Sequence, residues 1–167
     1  SDYAPARFGA NTGDNVRFLR LGWELGLGEF APKAFSDPVD SDARWQPFVK
    51  GAGGIVWYEP ASTAVNWALS GIEMKTNVLN KFGPNTIGWK ISNSNYYFRP
   101  GVAFSMIGSN FSARAHRYRS IIGDKGSSVF PADIANTLCL MNSERAKYVL
   151  SSLNPTVSFQ VGDVNRL

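Results

Sequence analysis

Hydrophobic and polar positions follow a short, strand-like pattern through most of the chain. β-Branched and aromatic runs bounded by Gly, Pro, Asn or Ser are typical of strands. Such runs occur at Ile55–Tyr58 and Val65–Trp67, and they recur from Ile87 to Phe130. In that last region they predict an antiparallel or mixed sheet whose strands lie at Tyr96–Arg99, Val102–Ile107, Phe111–Arg114, Ser120–Ile122 and Ser128–Phe130.

Helical spacing is clearest near the end of the chain. Residues 132–141 form an apolar segment, and Asn142–Ser143 can cap a helix over 144–153, which Asn154–Pro155 ends. The apolar residues of this helix fall on one face, at Ala146, Val149, Leu150 and Leu153. Residues 68–82 show a weaker helical pattern. The alternating tail Val157–Val164 predicts a half-buried strand.

The remaining segments read as connections. Gly9–Asn15 is rich in turn residues, and 16–21 is either a strand or a short helix. Residues 26–47 contain three prolines and several acids, which indicates a surface excursion. Gly51–Gly54 is predicted as a tight turn. Strands come first and helices last, so we expect a single α+β domain with a twisted antiparallel or mixed sheet and a few helices.

The composition agrees with a globular domain. The 167 residues are 44% hydrophobic and 18% charged, enough for a sizeable core. No apolar run approaches the roughly 18 to 20 residues that a membrane helix needs, and the start lacks the pattern of a signal peptide. We therefore expect a soluble, unexported protein with no membrane partner. The single Cys139 lies in an apolar stretch, which predicts a buried side chain rather than a reactive thiol.

Positive charge is concentrated in the middle of the chain. Residues 81–125 hold seven Lys or Arg against Asp124 alone, a net charge of +6, whereas 1–80 has a net charge of −2. A concentrated positive region suggests a polyanion as partner; the alternative is a solvated surface. Aromatic and amide residues interleave with these charges at 92–99 and 110–114. Asn and Arg match the edges of adenine and guanine, which favours nucleic acid.

Motifs for catalysis are absent. One histidine, His116, excludes a multi-histidine metal site, and no metal site is expected. Its position between Arg114 and Arg117 predicts a surface or phosphate-facing residue rather than a general base. Gly51–Gly54 lacks the strand, helix and acidic residue of a nucleotide-binding loop, so a hairpin turn is favoured. The chain is predicted to bind rather than to catalyse.

Several blocks, in order along nearly the whole chain, carry a resemblance to a known family. Gly9–Arg20 is similar to its Thr-Gly-Asp-Asn-x-Arg-Phe segment, and Trp45–Gly51 with Trp57–Tyr58 to its Trp-x-Pro-x-x-Lys-Gly-Gly block. Further similar blocks are Val65–Trp67, Gly101–Ser105, Phe111–Arg114, Gly126–Pro131, Leu140–Ser143 and Leu153–Val164. The chain resembles the target recognition domain of large adenine-specific DNA methyltransferases, including BREX-type (PglX-like) phage-defence and restriction-modification enzymes. Ile55–Val56 departs from the family, where a more basic stretch is usual.

The resemblance implies that DNA recognition and catalysis lie in different parts of the parent protein. Residues 1–167 would be one DNA recognition domain, a fragment of a larger bacterial methyltransferase, with 1–25 as the junction to the catalytic domain. The family's loops for S-adenosylmethionine and for the adenine amino group are missing, so no enzyme activity or cofactor is expected in this chain. S-adenosylmethionine is expected in the parent's catalytic domain. The implied function is sequence-specific recognition of double-stranded DNA for N6-adenine methylation, in the cytoplasm and at the nucleoid.

The resemblance also suggests where DNA would bind, mainly along 90–125. The expected contacts to phosphate or guanine are Lys50, Lys90, Arg99, Arg114, Arg117, Arg119 and Lys125. The residues expected to read or stack on bases are Asn93, Asn95 and Tyr96. Those expected to line the cleft beside a flipped adenine are Asn11, Thr12, Asp14 and Asn15, unless this loop is a self-bonded Asx turn. Arg17 is a further expected DNA contact. Ser127 and its neighbours either offer backbone N–H groups to a phosphate or form a bend between strands.

Two other functions remain open from the residues. The acidic first half could dock on other subunits of a defence system or on DNA mimics. Alternatively, the chain could bind single strands, with Tyr96, Tyr97, Phe98 and Phe104 as stacking platforms.

Overall fold

Short strands lie between residues 6 and 129, and in a computed structural model they form two mixed sheets. The structure describes residues 4–37, 43–51, 54, 56–108 and 110–167. The strands are β1 Ala6–Arg7, β2 Leu19–Leu21, β3 Trp45–Val49, β4 Trp57–Tyr58, β5 Thr63–Asn66, β6 Gly101–Phe104, β7 Ala113–His116, β8 Ile121–Ile122 and β9 Ser128–Val129. The first sheet has the order β1-β9-β6-β7-β4, and the second has the order β2-β5-β3-β8.

Most neighbouring strands are antiparallel. In the first sheet β6 pairs with β7 in the register Gly101↔His116, and β9 pairs with both β6 and β1. The parallel pairs are β4 with β7 and β3 with β8. Residues 121–129 supply one strand to each sheet, so this segment joins the two layers.

Helices lie between the strands and at the C-terminal end of the chain. They are α1 Asn15–Phe18, α2 Ala68–Phe82, α3 Ile87–Lys90, α4 Ile134–Met141, α5 Glu144–Leu153 and α6 Val161–Val164. Asp14, Asp133 and Ser143 cap α1, α4 and α5 through side-chain oxygens that accept backbone N–H bonds. Three short 3-10 turns lie at Gly22–Glu24, Pro84–Thr86 and Ser94–Tyr96.

The start of α2 explains how a glycine is accommodated there. Leu69, Ser70 and Gly71 have φ angles of 50°, 58° and 73°, so this first turn is left-handed. A Cβ at Gly71 would lie 2.7 Å from the Trp67 ring. Glycine is favoured at such a position because it has no Cβ. The predicted helix over 68–82 is confirmed.

The core has two parts, one beneath each layer. The first joins the second sheet to α2 through Phe18, Val65, Trp67, Met74 and Ile121. The second joins the first sheet to the C-terminal helices through Val102, Phe104, Phe111, Leu150 and Phe159. Burial of apolar area on this scale is the main stabilising contribution to the fold.

The α+β class and the mixed sheet are confirmed, and several local predictions are wrong. Tyr96–Arg99 is not a strand, because Tyr96 ends a 3-10 turn and packs on Phe130. The tail forms α6 rather than a strand, with only an isolated bridge from Ser158 to Ile107. The predicted surface excursion over 26–47 is wrong at its end, because its last residues belong to β3, whose residues are buried.

Two further predictions concern single positions. Cys139 is exposed on α4, so its expected burial is wrong. The predicted turn at Gly51–Gly54 and the family departure at Ile55 fall partly outside the described residues, which omit 52, 53 and 55.

Candidate nucleic-acid interface

The segment that follows β1 and the segment at the end of α3 lie side by side. The Asn11 N–H donates to the Lys90 carbonyl at 2.7 Å, and Ala10 forms a bridge with Ile91. Farther along, the Asn93 amide donates to the Phe8 carbonyl at 2.9 Å. Residues 7–13 and 89–96 are therefore held together as a single surface, which we call the junction edge.

An arginine–tyrosine cluster lies at one end of the junction edge and consists of Arg7, Tyr96 and Arg99. The guanidinium carbons of Arg7 and Arg99 lie 5.2 and 5.3 Å from the centre of the Tyr96 ring. That ring packs on Phe130 at 4.9 Å. These cation–π contacts restrain two positive side chains near the surface, and Arg99 is exposed.

Arg117 extends this cluster. It is exposed and directly follows the pair Gly101↔His116, so its backbone lies beside Pro100, next to Arg99. The Asn95 side chain is also exposed, in the 3-10 turn that ends at Tyr96. The structure thus brings together four of the predicted site residues: Asn95, Tyr96, Arg99 and Arg117.

A lysine–aromatic cluster lies at the other end of the edge and consists of Lys81, Phe82, Trp89 and Lys90. The Lys90 ammonium lies 4.3 Å from the Phe82 ring centre and 4.6 Å from that of Trp89. Lys81 lies 5.7 Å from Phe82 and donates to the Gly13 carbonyl at 3.0 Å. Trp89 is 55% exposed and Phe82 39%, so both rings face solvent.

The loop between these clusters is held by its own side chains. The Gly13 N–H donates to Asn11 Oδ1 at 3.0 Å, and the Asp14 N–H donates to Thr12 Oγ1 at 3.2 Å. The Thr12 hydroxyl donates to Asn15 Oδ1 at 2.6 Å, and Thr12 is buried. The self-bonded turn is therefore confirmed. Because Thr12 is 2% exposed, its expected contact with a partner is wrong.

Lys125 and Lys50 border this loop from the far side. Both are exposed, and a Cβ at Gly51 would lie 2.5 Å from the Lys125 carbonyl, which places the two loops side by side. The Asp124 N–H donates to the Ala10 carbonyl at 3.0 Å, and its carboxylate accepts from the Asn11 amide at 2.9 Å. The two lysines consequently add positive charge next to the junction edge.

Arg114 does not belong to this surface. Its side chain has no exposed area and forms an ion pair with Glu59, which is also buried. It also donates to the Lys50 carbonyl at 3.0 Å. Burial lowers the pKa of Arg114 to about 10. The expected DNA contact at Arg114 is wrong, because a buried ion pair cannot reach a partner without breaking.

Two more expectations are corrected by burial. The Ser127 side chain is fully buried and its hydroxyl contacts the Met106 sulfur at 3.0 Å, so this segment is a bend rather than a phosphate loop. A Cβ at neighbouring Gly126 would clash with the Val49 carbonyl, which explains a glycine there. His116 is also fully buried, so the expected surface or phosphate-facing position is wrong.

Three of the remaining predicted residues are held away from the junction edge or partly occupied. Arg119 donates to the carbonyls of Phe35 and Asp37, at 2.8 and 3.1 Å. Arg17 is exposed and pairs with Glu73 at 2.7 Å on the side of α2. Asn15 is exposed but accepts from Thr12, as described above.

Sequence reasoning missed several members of the two clusters. Arg7, Lys81, Phe82 and Trp89 were not predicted. Each of them belongs to an aromatic residue and a cation that are adjacent in sequence, at Arg7-Phe8, Lys81-Phe82 or Trp89-Lys90. Such adjacent pairs could have indicated these residues from the sequence.

The described residues include no cluster of metal ligands and no membrane-spanning helix. No three His, Cys, Asp or Glu residues among them are grouped as metal ligands. No helix among them has the length and apolar character to span a bilayer.

Comparison with known proteins supplies sequence similarity over most of the chain. No family model matches it. The chain is 31% identical over 166 residues, 97% of its length, to the adenine-specific methyltransferase PglX of Lacticaseibacillus casei (strain Zhang). It is 28% identical over 155 residues, 89% of its length, to the adenine-specific methyltransferase BrxX of Escherichia coli O9:H4 (strain HS). The chain spans 14% and 12% of these two proteins.

Proposed function

Because the chain is homologous over most of its length to one segment of the adenine-specific methyltransferases PglX and BrxX, we propose that it recognises double-stranded DNA for such an enzyme. The observation that carries the proposal is the junction edge, where exposed cations and aromatic rings converge. Methylation of adenine N6 requires the base to leave the helix, and the rest of the DNA must be held in register. The junction edge, together with the clusters at its two ends and the neighbouring Lys50 and Lys125, would hold the DNA in this way.

Each side chain assigned to DNA has a physical role in the proposal, and all except the half-buried Lys90 are exposed. Lys50, Lys90 and Lys125 would contact phosphates, because lysine acts as a flexible point charge. Arg99 and Arg117 would contact phosphate or the acceptor edge of guanine, which matches a planar guanidinium. Asn95 would read adenine. Phosphate contacts set the register, and base contacts supply the sequence preference.

The proposal assigns the chemistry to another part of the parent protein. S-adenosylmethionine would be bound there and the methyl group would be transferred there, and this chain would hold no cofactor. We propose that this catalytic part docks within the first 25 residues at a site beside the junction edge, around Val16 and Trp23, which are 87% and 80% exposed. Large exposed apolar side chains favour a protein contact. We also propose that other defence-system subunits are partners of the chain. Its proposed location is the bacterial cytoplasm, in association with the nucleoid.

Salt-dependent binding to duplex DNA tests the function. We expect the double variant Arg99→Glu, Lys125→Glu to bind a short fluorescent duplex about tenfold more weakly, with a salt slope lower by about two, since two phosphate contacts are lost. Fluorescence anisotropy at several salt concentrations measures both. Arg114 is unsuitable, because its reversal would leave Glu59 buried without its partner.

A matched variant controls for overall charge. Arg145→Glu, Lys147→Glu changes the net charge equally at two positions of α5, where Arg145 is exposed and the Lys147 side chain is 37% exposed. It should keep the wild-type affinity within about threefold, because these residues lie away from the proposed grip. Equal losses in both variants, or duplex binding that does not respond to salt, would contradict the proposal.

A further inference from the structure

The proposed contacts with duplex DNA involve charged and amide side chains, and they leave the two exposed aromatic rings of the lysine–aromatic cluster without an assigned contact. Trp89 and Phe82 are 55% and 39% exposed, and the Lys90 ammonium lies over both rings. In duplex DNA the faces of the bases are stacked on one another, and a protein reaches only their edges in the grooves. The rings therefore match a partner whose base face is uncovered.

The rings are held in place by the surrounding backbone. The Gly83 N–H donates to the Leu79 carbonyl at 2.8 Å and closes α2 immediately after Phe82. The Thr86 hydroxyl donates to the Gly83 carbonyl at 2.7 Å, which tightens the turn leading into α3 and Trp89. On the other side, a Cβ at Gly13 would lie 3.2 Å from the Phe82 ring. The cluster is thus braced against the loop of the junction edge.

Positive charge lies between and beside the rings. The Lys90 ammonium is within 4.6 Å of both ring centres, and Lys81 lies 5.7 Å from that of Phe82. Aromatic faces combined with cations are the components with which proteins bind unpaired nucleotides, because the ring stacks on the base and the cation attracts its phosphate.

We propose that Trp89, with Phe82 and Lys90 beside it, binds an unpaired nucleobase within otherwise duplex DNA. This rests on the proposed function, since extruding an adenine for methylation leaves two unpaired bases, the adenine and its former partner. Both offer the same chemistry, a free π face next to a phosphate. The cluster lies beside the loop 9–13, so an unpaired base would be bound at the junction edge itself.

The test compares duplexes that differ by one missing base. Three fluorescent duplexes are used: one fully paired, one with an abasic site opposite an adenine, and one with an abasic site opposite a thymine. We expect the wild-type chain to bind an abasic duplex roughly fivefold more tightly than the paired one. The arm that shows the larger preference identifies the extruded adenine or its partner as the bound base.

Two variants decide whether Trp89 is responsible. In Trp89→Leu the ratio of affinities for abasic and paired duplexes should fall to about one, because leucine has no ring to stack. Tyr148→Leu, an aromatic residue of α5 that is 75% exposed, should retain the wild-type ratio. Circular dichroism verifies that each variant is folded.

The outcomes separate this inference from the proposed function. Wild-type chain that binds paired DNA without preferring abasic duplexes overturns the inference and leaves the function standing. A preference that survives in Trp89→Leu, or disappears equally in Tyr148→Leu, also overturns it. Chain that binds none of the three duplexes overturns both.

Discussion

At the residue scale, Arg114 and His116 share one buried electrostatic environment on β7. The Nδ1 atom of His116 lies 3.4 Å from the Ser120 hydroxyl, and its Nε2 atom has no hydrogen-bond partner among the described residues. Burial, and to a lesser extent the charge of Arg114, lower the pKa of His116 from 6.5 to about 3. The histidine is therefore neutral in the folded protein near neutral pH.

This neutral histidine predicts a loss of stability in weak acid. Above pH 6.5 the histidine is mostly neutral in both states, but between pH 6.5 and about 3 the unfolded chain binds one more proton than the folded chain. The free energy of unfolding should fall by about 2 kcal/mol between about pH 7.5 and about pH 5 because of this group. Urea unfolding at several pH values measures it.

The variant His116→Gln controls for the other acidic groups. It removes the titrating imidazole, so its stability should depend much less on pH over the same interval, whatever its absolute value. Equal pH dependence in wild type and variant would show that His116 is protonated alike in both states.

At the scale of secondary structure elements, the turn between α4 and α5 anchors the C-terminal helices to the first sheet. The Asn142 side chain accepts from the Ala113 N–H and donates to the Ala113 carbonyl, both at 2.9 Å. The Ser143 hydroxyl accepts from the Ala146 N–H at 3.2 Å and donates to the Leu140 carbonyl at 2.7 Å. One two-residue turn thus caps a helix and fixes it to β7.

Removing the cap should destabilise the fold measurably. Ser143→Ala leaves the Ala146 N–H without its partner, and we expect the free energy of unfolding to fall by about 1 kcal/mol. Ser151→Ala provides the control, because Ser151 lies exposed within the same helix and only contacts the Tyr148 carbonyl. That variant should stay within about 0.5 kcal/mol of wild type in urea unfolding. A cap variant as stable as the control would contradict this role.

At the scale of the whole molecule, the two sheets are joined rather than independent. Residues 121–129 contribute β8 to one sheet and β9 to the other, and Ala10 bridges both Ile91 and Gly123. Disruption of either apolar cluster would remove packing from β8 or β9, and these two strands belong to the same segment, 121–129. We therefore expect one cooperative unfolding transition, as is usual for domains of this size.

A core substitution in one apolar cluster should accordingly lower the unfolding midpoint of the other cluster as well. Leu150→Ala removes a fully buried side chain beneath the first sheet, which costs about 2 to 5 kcal/mol. Tryptophan fluorescence, which includes Trp67 in the other cluster, and far-UV circular dichroism should report the same lowered midpoint. Two separate midpoints would show that the layers unfold independently.

The sequence by itself determined the features that depend on neighbouring residues. The α5 helix and its Ser143 cap, the end of α5 at Asn154 and the strand around Val102 follow from spacing, capping and turn residues, all within a few positions. The α+β class follows from their order. The strand predicted at Tyr96–Arg99 was wrong. Aromatic residues favour strands in general, but here the Tyr96 ring packs on Phe130.

Only the tertiary structure decided which charged and aromatic residues face a partner. Arg114 and Arg99 belong to the same basic segment, yet Glu59, 55 positions from Arg114, holds that arginine inside. Lys81-Phe82 and Trp89-Lys90 form one cluster because a turn folds α3 back against the end of α2. Burial and ion pairing depend on packing between distant segments, and local pattern carries no information about which distant segments will meet.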